Sequence, residues 1–177
     1  MNVIETKLPG VLIVEPKVFG DQRGFFKETY QADRYAEFGI GLPFVQDNHS
    51  RSRKGVLRGL HLQKTRPQGK LVSCIRGEVY DVAVDINPKS ETYGQYVGLM
   101  LTEENQRQLW IPPGYAHGFC VITDEADFMY KCTEYYLPQD EIGYRWDDEY
   151  FNIEWPIKDP IISEKDAKYL KIGEIGK

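Results

Sequence analysis

Several polar side chains lie close together in a stretch of otherwise apolar, alternating sequence. Arg58, His61 and Lys70 fall within one short stretch, and His117 follows in a second apolar segment. A polar group inside an apolar strand costs free energy unless it finds a partner. A lone histidine of this kind is more often a satisfied core residue than a catalyst. So dense a set is poorly explained by packing, although a solvated sheet face remains the alternative.

These residue types suit proton transfer at a carbon atom next to a ketone. A neutral histidine can remove the carbon-bound proton, and a lysine or a second histidine can stabilise the enolate oxygen that develops. A tyrosine can return a proton on the opposite face, which inverts the stereocentre. A carboxylate can hold the histidine in one tautomer, and an arginine can bind a diphosphate. The set indicates a reaction class but not a substrate.

A metal site is the main alternative use of the same histidines. Small β-barrels often bind a metal through a His-x-His pair, a downstream glutamate and a later histidine. Here Gln63 occupies the second position of such a pair, and no glutamate follows before Lys70. A lysine nearby would also repel a divalent ion. The sequence therefore predicts neither a metal nor another cofactor.

Length and composition restrict the class of protein. The 177 residues suit one domain, and 13% aromatic residues suit a β-rich fold. A net charge of −5 with dispersed basic residues argues against a nucleic-acid binder. Three cysteines without motif spacing predict free thiols. Because we find no signal peptide and no membrane-length apolar stretch, we expect a cytoplasmic protein without membrane contact.

The elements that position these residues are predicted to be short strands. Turn signals recur about every ten residues, which is typical of a sandwich or barrel. A Rossmann domain is disfavoured, because strands do not alternate with helices and no glycine-rich phosphate loop occurs. Short helices are expected at 32–38, ended by Gly39, and after Ser163 as N-cap. The predicted strands are 11–15, 25–30, 44–50, 56–63, 71–75, 78–86, 96–101, 108–111, 118–123 and 127–133.

One spacing in this pattern leaves the geometry of the site open. Arg58 and His61 are three positions apart, so an unbulged strand would point them to opposite faces of its sheet. Gly59 lies between them and could mark a β-bulge. The sequence does not decide whether both side chains reach one pocket.

Several segments of the chain follow, in order and spacing, a pattern known from one enzyme family. They are 21–28 (DQRGFFKE), 46–50 (QDNHS), 55–63 (GVLRGLHLQ), 68–72 (QGKLV), 77–82 (GEVYDV), 111–119 (IPPGYAHGF), 130–133 (YKCT) and 162–166 (ISEKD). A single segment would be weak evidence, but the full set is specific. Over nearly its whole length the chain resembles the dTDP-4-dehydrorhamnose 3,5-epimerase family.

The resemblance implies an all-β fold: a cupin-like jelly-roll barrel with a few short helices. It implies one domain over 1–177, a homodimer, an N-terminal arm of about 1–30 that crosses to the other subunit, and a flexible tail of about 171–177. The implied reaction is the metal-independent epimerisation of dTDP-4-keto-6-deoxyglucose at carbons 3 and 5, in dTDP-L-rhamnose biosynthesis. Because the chain ends soon after Asp166, we expect the family's C-terminal segment to be short or missing.

The resemblance also carries roles to matching positions. His61 would be the base, oriented by Asp166, and Tyr130 the acid on the opposite face. Lys70 would stabilise the enolate oxygen. The expected substrate-binding residues are His117 at the sugar, Arg58 at the diphosphate, Gln46 and Asn48 facing the ligand, Tyr136 near the nucleotide, and Arg23, Phe26 and Glu28 on the arm, at the nucleotide of the other subunit.

Alternatives to these assignments stay open. A related isomerase could invert only carbon 3 or only carbon 5, or move the keto group. A metal-dependent cupin oxygenase would need the His-x-His pair that is missing here. A non-catalytic sugar-nucleotide-binding module would need neither His61 nor Tyr130. Among single residues, Asp166 would also suit a plain helix start, and Phe26 and Tyr136 would also suit ordinary packing.

Overall fold

Two antiparallel β-sheets make up most of the structure, a computed structural model that describes residues 1–174. The strands are, in chain order, β1 (Asn2–Glu5), β2 (Leu12–Glu15), β3 (Val18–Asp21), β4 (Gly24–Lys27), β5 (Gln46–Arg53), β6 (Leu57–Gln63), β7 (Lys70–Arg76), β8 (Glu78–Asp85), β9 (Tyr96–Thr102), β10 (Gln108–Ile111), β11 (Tyr115–Val121), β12 (Glu125–Cys132) and β13 (Glu141–Gly143). Within the described residues there is one α-helix, α1 (Ala32–Ala36), and there are two 3₁₀ turns, Asp166–Lys168 and Ile172–Glu174. The predicted flexible tail is covered only in part, because 175–177 lie outside the described residues.

The strand order defines the architecture. One sheet runs β1-β2-β10-β7-β12-β5 and the other runs β13-β6-β11-β8-β9, with every neighbouring pair antiparallel. Strands that follow one another in the chain repeatedly belong to different sheets, so the chain winds around a shared interior. This is the jelly-roll β-barrel of the cupin-like kind that the resemblance predicts.

The main core lies between the two sheets. Side chains alternate across a strand, so each sheet turns every second residue inward. The largest members of this core are fully or nearly fully buried. They are Val72, Leu109, Ile111 and Phe128 from the six-stranded sheet and Val79, Leu101, Phe119 and Val121 from the five-stranded sheet. All three cysteines are buried free thiols, as predicted.

The outer face of the six-stranded sheet is covered by α1 and the loop after it. Tyr35 and Ile40 pack there on Trp110 and its neighbours. The Tyr35 hydroxyl donates to the Gln108 side chain at 2.8 Å, and burial raises the pKa of this phenol to about 12. The helix is shorter than predicted, but Gly39 does adopt the positive φ, +84°, of a C-terminal cap.

The outer face of the five-stranded sheet is covered by the C-terminal third of the chain. Phe151 is buried there against Leu62 and Val84, and Trp155 packs at its edge. This region is loop-like, as predicted, except for β13, which the sequence analysis missed. In the part of the chain that the structure describes, no helix has the length and apolarity needed to span a bilayer.

Other elements also differ from the predictions. The sequence analysis missed β1 and β3, which are short and largely exposed, so neither carries a clear apolar pattern. The strand predicted at 118–123 begins already at Tyr115, because β8 pairs with it along that whole stretch. In place of the helix expected at Ser163 the short 3₁₀ turn Asp166–Lys168 forms, although the Ser163 hydroxyl does accept the Asp166 N–H at 3.0 Å, as expected of a cap.

We expect Phe128→Ala to lower the free energy of unfolding by about 3–5 kcal/mol, because it leaves a cavity between the sheets. Phe128 is fully buried and stacks on Phe119 with ring centroids 4.1 Å apart. Urea unfolding would measure the change. Ile4→Ala, at a position 40% exposed on the edge strand, is the control and should change stability by less than about 0.5 kcal/mol. Equal effects of the two substitutions would contradict this account of the core.

Candidate active site

A β-bulge in β6 places two of the predicted site residues on one side of the sheet. His117 of β11 pairs with His61, but Phe119 pairs with Arg58, so β6 uses one residue more than its partner. The extra residue is at Gly59, whose φ is +128°. A Cβ atom there would come within 2.5 Å of the Gly118 Cα. The bulge suggested by Gly59 is therefore present, and both Arg58 and His61 line one cavity.

This cavity has a volume of about 740 Å³ and opens at one end of the barrel. Both sheets contribute to its walls, together with the segment that follows residue 160. Most of the residues predicted to carry the chemistry lie around it. The predicted residues that line it are Gln46, Asn48, Arg58, His61, Lys70, His117, Tyr130, Tyr136 and Asp166.

The predicted residues on the arm do not line this cavity in a single chain. Arg23 sits at the turn of the β3–β4 hairpin, which pairs with neither large sheet, and it forms an ion pair with Asp21. Phe26 is 69% exposed. Glu28 forms an ion pair with Arg34. Their role at another subunit stays a prediction.

His61 and Asp166 form a hydrogen-bonded pair. The distance from His61 Nε2 to Asp166 Oδ1 is 2.7 Å, and Asp166 is 3% exposed. Burial opposes ionisation of this carboxyl, but the hydrogen bond and charge of His61 outweigh it and leave its pKa below the usual value. An ionised carboxylate can only accept, so Nε2 carries a hydrogen, and in the neutral imidazole the lone pair is on Nδ1. His61 is thereby prepared to act as a base.

His117 forms a second pair, with Asp81. Its Nε2 lies 2.9 Å from Asp81 Oδ2, and both side chains are buried. Burial lowers the pKa of His117, and the nearby charges of Lys70 and His61 add to this, while Asp81 opposes it. The imidazole is therefore neutral near pH 7, and it stacks against Phe128 with centroids 6.2 Å apart.

Lys70 and Tyr130 stand on the other sheet, so they come from the wall opposite the two histidines. Burial lowers the pKa of Lys70 and raises that of Tyr130. Within residues 1–174 neither side chain's polar end has a hydrogen-bond or ion-pair partner. The Lys70 amino group and the protonated Tyr130 phenol are thus available to a bound molecule.

Neutral and basic groups line the mouth of the cavity. Arg58 donates to Ser52 Oγ through Nε at 3.2 Å and Nη2 at 3.1 Å, and it makes no ion pair with a carboxylate in the described chain. The Gln46 amide donates to Asn48 Oδ1 at 3.0 Å, and its own oxygen accepts the Tyr136 N–H at 2.8 Å. An arginine without a carboxylate partner suits an anionic group such as a diphosphate.

The sequence analysis missed several residues of this site. Asp81 was placed on its strand but not paired with His117, because sequence spacing does not show which strands are neighbours. Glu141 and Lys165 also line the cavity. Glu141 was missed because β13 carries no apolar pattern, and Lys165 lay in a matching segment but was given no role. Gln63, the last residue of β6, is not among the cavity-lining residues; its amide donates to the Arg66 and Tyr135 carbonyls of neighbouring loops.

The donor groups suit acid–base chemistry better than metal binding. No group of three or more histidine, cysteine or acidic side chains suited to holding a metal ion occurs within residues 1–174. Each of the two cavity histidines is hydrogen-bonded to an aspartate carboxylate. A lysine and a tyrosine face them from the other sheet. Fold and site together define a cupin-like enzyme that moves protons on a carbon acid.

The comparison with protein families identifies which enzymes of this class the chain resembles. The family model described as dTDP-4-dehydrorhamnose 3,5-epimerase matches residues 5–174. The chain belongs to this family and is therefore an isomerase. The match runs to residue 174, the last residue that the structure describes.

Individual relatives agree with this assignment. The chain is 57% identical to the dTDP-4-dehydrorhamnose 3,5-epimerase of Shigella flexneri, over 94% of this chain and 93% of that protein. It is 50% identical to the enzyme of the same name from Escherichia coli K12, over 99% and 96%. An epimerase structure from Legionella pneumophila, described as a complex with dTDP-4-keto-L-rhamnose, superposes with a TM-score of 0.95 at 53% identity, covering 98% and 94%.

The buried His117 should make stability depend on pH. Its pKa in the folded state lies below the ordinary 6.5, mainly because of burial. As the pH falls below 6.5, the unfolded chain binds a proton at this histidine that the folded chain still excludes. The free energy of unfolding therefore falls as pH falls. We expect His117→Gln to reduce this loss by about 1 kcal/mol between about pH 7.5 and about pH 5.5. Urea unfolding of both proteins at both pH values is the measurement, and identical pH slopes would contradict the prediction.

Proposed function

We propose that this protein inverts carbons 3 and 5 of dTDP-4-keto-6-deoxyglucose and so forms dTDP-4-keto-L-rhamnose for dTDP-L-rhamnose biosynthesis. Family membership supports the reaction. The observation that supports the proposed mechanism is the arrangement of side chains on opposite walls of the cavity. The His61–Asp166 pair lies on one wall, and Tyr130 and Lys70 lie on the other.

The ketone at carbon 4 acidifies the hydrogens on its two neighbouring carbons. His61 Nδ1 takes such a proton, and the Asp166 carboxylate stabilises the imidazolium that results. The electron pair moves onto the carbon 4 oxygen, where the Lys70 ammonium offsets the developing charge. Tyr130 then donates its hydroxyl proton to the carbon from the opposite face. Solvent then takes the extra proton from His61 and returns one to Tyr130, so each cycle inverts one centre with no net oxidation.

The remaining groups would fix the position of the substrate in the cavity. Arg58 at the mouth binds the diphosphate, while Gln46, Asn48 and Tyr136 contact the bound ligand beside it. Neutral His117 lines the sugar site and can donate or accept a hydrogen bond there without adding charge. No metal or other cofactor takes part, because the lysine and the paired histidines supply the required charge and proton transfer.

The reaction is tested by hydrogen exchange in heavy water. Protein treated with a chelator and incubated with dTDP-4-keto-6-deoxyglucose should introduce deuterium at both carbon 3 and carbon 5, as followed by NMR or mass spectrometry. Trapping of the L-lyxo product by a reductase would show that both centres are inverted. Label at one centre alone would identify a monofunctional epimerase. No label at either centre would refute this substrate.

Two variants in the same experiment test the proposed roles of His61 and Tyr130, which lie on opposite walls of the cavity. His61→Asn should lose nearly all exchange while still binding dTDP, because only the base is removed. Tyr130→Phe should keep some exchange but lose inversion, since His61 can return a proton only to the face from which it came. Unchanged turnover in His61→Asn would remove that residue from the mechanism.

We also propose a homodimer in which the hairpin at 18–27, within the predicted arm, reaches the other subunit. Phe19, Phe25 and Phe26 are all more than half exposed on this hairpin, and burying three such rings would favour association. Arg23, Phe26 and Glu28 would then contact the nucleotide in the neighbouring cavity. Sedimentation should give about twice the chain mass of 20.5 kDa, and Phe26→Asp should shift it toward the monomer. A monomeric wild-type protein with full activity would refute the dimer.

A cytoplasmic location is part of the same proposal. Three buried thiols without a disulfide suit a reducing compartment. Cell fractionation tests this, and recovery of the protein from an extracellular fraction would contradict it.

A further inference from the structure

One face of β5 turns alternate side chains toward the cavity. Gln46, Asn48 and Ser50 line it, and Ser52, the next residue of this row, is only 6% exposed. The residues between them are exposed, as expected when successive side chains point to opposite faces of a sheet. The family resemblance assigns Gln46 and Asn48 to the ligand but gives Ser50 no role.

The hydroxyl of Ser50 is buried without a hydrogen-bond partner. Within residues 1–174 three buried side-chain polar atoms lack one, namely Ser50 Oγ, Asp81 Oδ1 and Gln106 Oε1. Of these three residues, Ser50 alone lines the cavity. Burying a hydroxyl without a partner costs free energy. Its place beside a binding cavity therefore points to a partner that a ligand supplies.

The surroundings of Ser50 explain why the chain itself leaves this hydroxyl unpaired. On the neighbouring strand β12 Ser50 pairs with Phe128, whose ring is fully buried and apolar. On β5 itself the side-chain oxygens of Asn48 and Ser52 already accept hydrogen bonds from other side chains. A rotation about the Cα–Cβ bond of Ser50, from one staggered rotamer to another, turns its hydroxyl toward the cavity.

Ser52 places the cation of Arg58 close to Ser50. The Ser52 Oγ accepts hydrogen bonds from Arg58 Nε at 3.2 Å and from Nη2 at 3.1 Å, which leaves the Nη1 side of the guanidinium to a ligand. Residues two positions apart on one face of a strand are separated by about 7 Å. A diphosphate bound to Arg58 therefore comes within reach of the Ser50 hydroxyl.

We propose that Ser50 is a further substrate-binding residue, whose hydroxyl donates a hydrogen bond to a diphosphate oxygen held by Arg58. The proposal rests on the proposed function, because that function supplies the dTDP-sugar as the ligand. A hydroxyl suits this position because a hydrogen bond to a charged acceptor is of the stronger kind. It also brings no further charge that the ligand-free protein would have to bury.

Ser50→Ala removes the hydroxyl and little else. We expect this variant to raise the Kd of dTDP about 10- to 100-fold, the usual effect of losing one hydrogen bond to a charged group. The KM of dTDP-4-keto-6-deoxyglucose should rise by a similar factor with kcat little changed, because the diphosphate is bound equally in the ground and transition states. Isothermal titration calorimetry and steady-state kinetics on the full-length protein measure these constants.

The stability of the ligand-free protein separates a binding role from a structural one. Because the Ser50 hydroxyl has no partner in the described chain, Ser50→Ala should leave the free energy of unfolding unchanged or raise it. Urea unfolding without nucleotide measures this quantity. A clear loss of stability would show that the hydroxyl supports the fold, and it would overturn the proposal.

A double-mutant cycle tests whether Ser50 and Arg58 hold the same group. In an Arg58→Ala background, Ser50→Ala should raise the Kd of dTDP by a smaller factor than in the wild type, since the diphosphate has lost the cation that places it. Full additivity would contradict a shared diphosphate. Ser73→Ala is the matched control, because Ser73 lies in the same sheet on the outer face that Leu71 shares. It should change neither the Kd nor the KM.

The other outcomes identify which statement fails. If Ser50→Ala raised the KM of the keto-sugar but left the Kd of dTDP unchanged, the hydroxyl would contact the sugar and its assignment to the diphosphate would be wrong. Wild-type protein that neither binds dTDP nor epimerises would refute the proposed function. An active wild type together with an unchanged Ser50→Ala variant would refute only the role of Ser50.

Discussion

The site depends on a single extra residue in β6. A regular strand would turn Arg58 and His61 to opposite faces of the sheet, one toward the cavity and the other away from it. The bulge at Gly59 removes that conflict, and glycine suits it because the backbone has a positive φ and the neighbouring strand leaves no room for a Cβ atom. A cation at the mouth and a base deeper in the cavity can then come from one short segment.

Two sheets are needed because inversion requires groups on both sides of one carbon atom. A single sheet face could present a histidine and a tyrosine side by side, but both would then approach a substrate from the same direction. In this barrel the histidines stand on the five-stranded sheet, and Lys70 and Tyr130 stand on the six-stranded sheet. The stereochemical outcome that we propose thus follows from the sandwich architecture itself.

The buried polar groups fall into two classes. His61 and His117 are each paired with a buried carboxylate, which offsets much of the cost of burying them. Lys70 and Tyr130 have no such partners in the described chain, and burial is the main cause that moves their pKa values away from the charged forms. A group left without a partner in a cavity is costly to the fold and available to a ligand, which is the pattern expected at an active site.

Local sequence was enough to predict most of the strands and the free thiols and to single out His61 as a candidate, because side-chain periodicity and a polar residue in an apolar run are local signals. The family pattern then implied the barrel and assigned Asp166 as the partner of His61. The tertiary structure alone decided the bulge at Gly59 and the His61–Asp166 contact, which joins residues 105 positions apart. It also decided the pairing of β13 with β6, since β13 carries no apolar pattern, and the opposed walls of the cavity. Alternation along a strand determines which faces are apolar, but register and sheet order depend on which strands meet, and that is settled only when the whole chain packs.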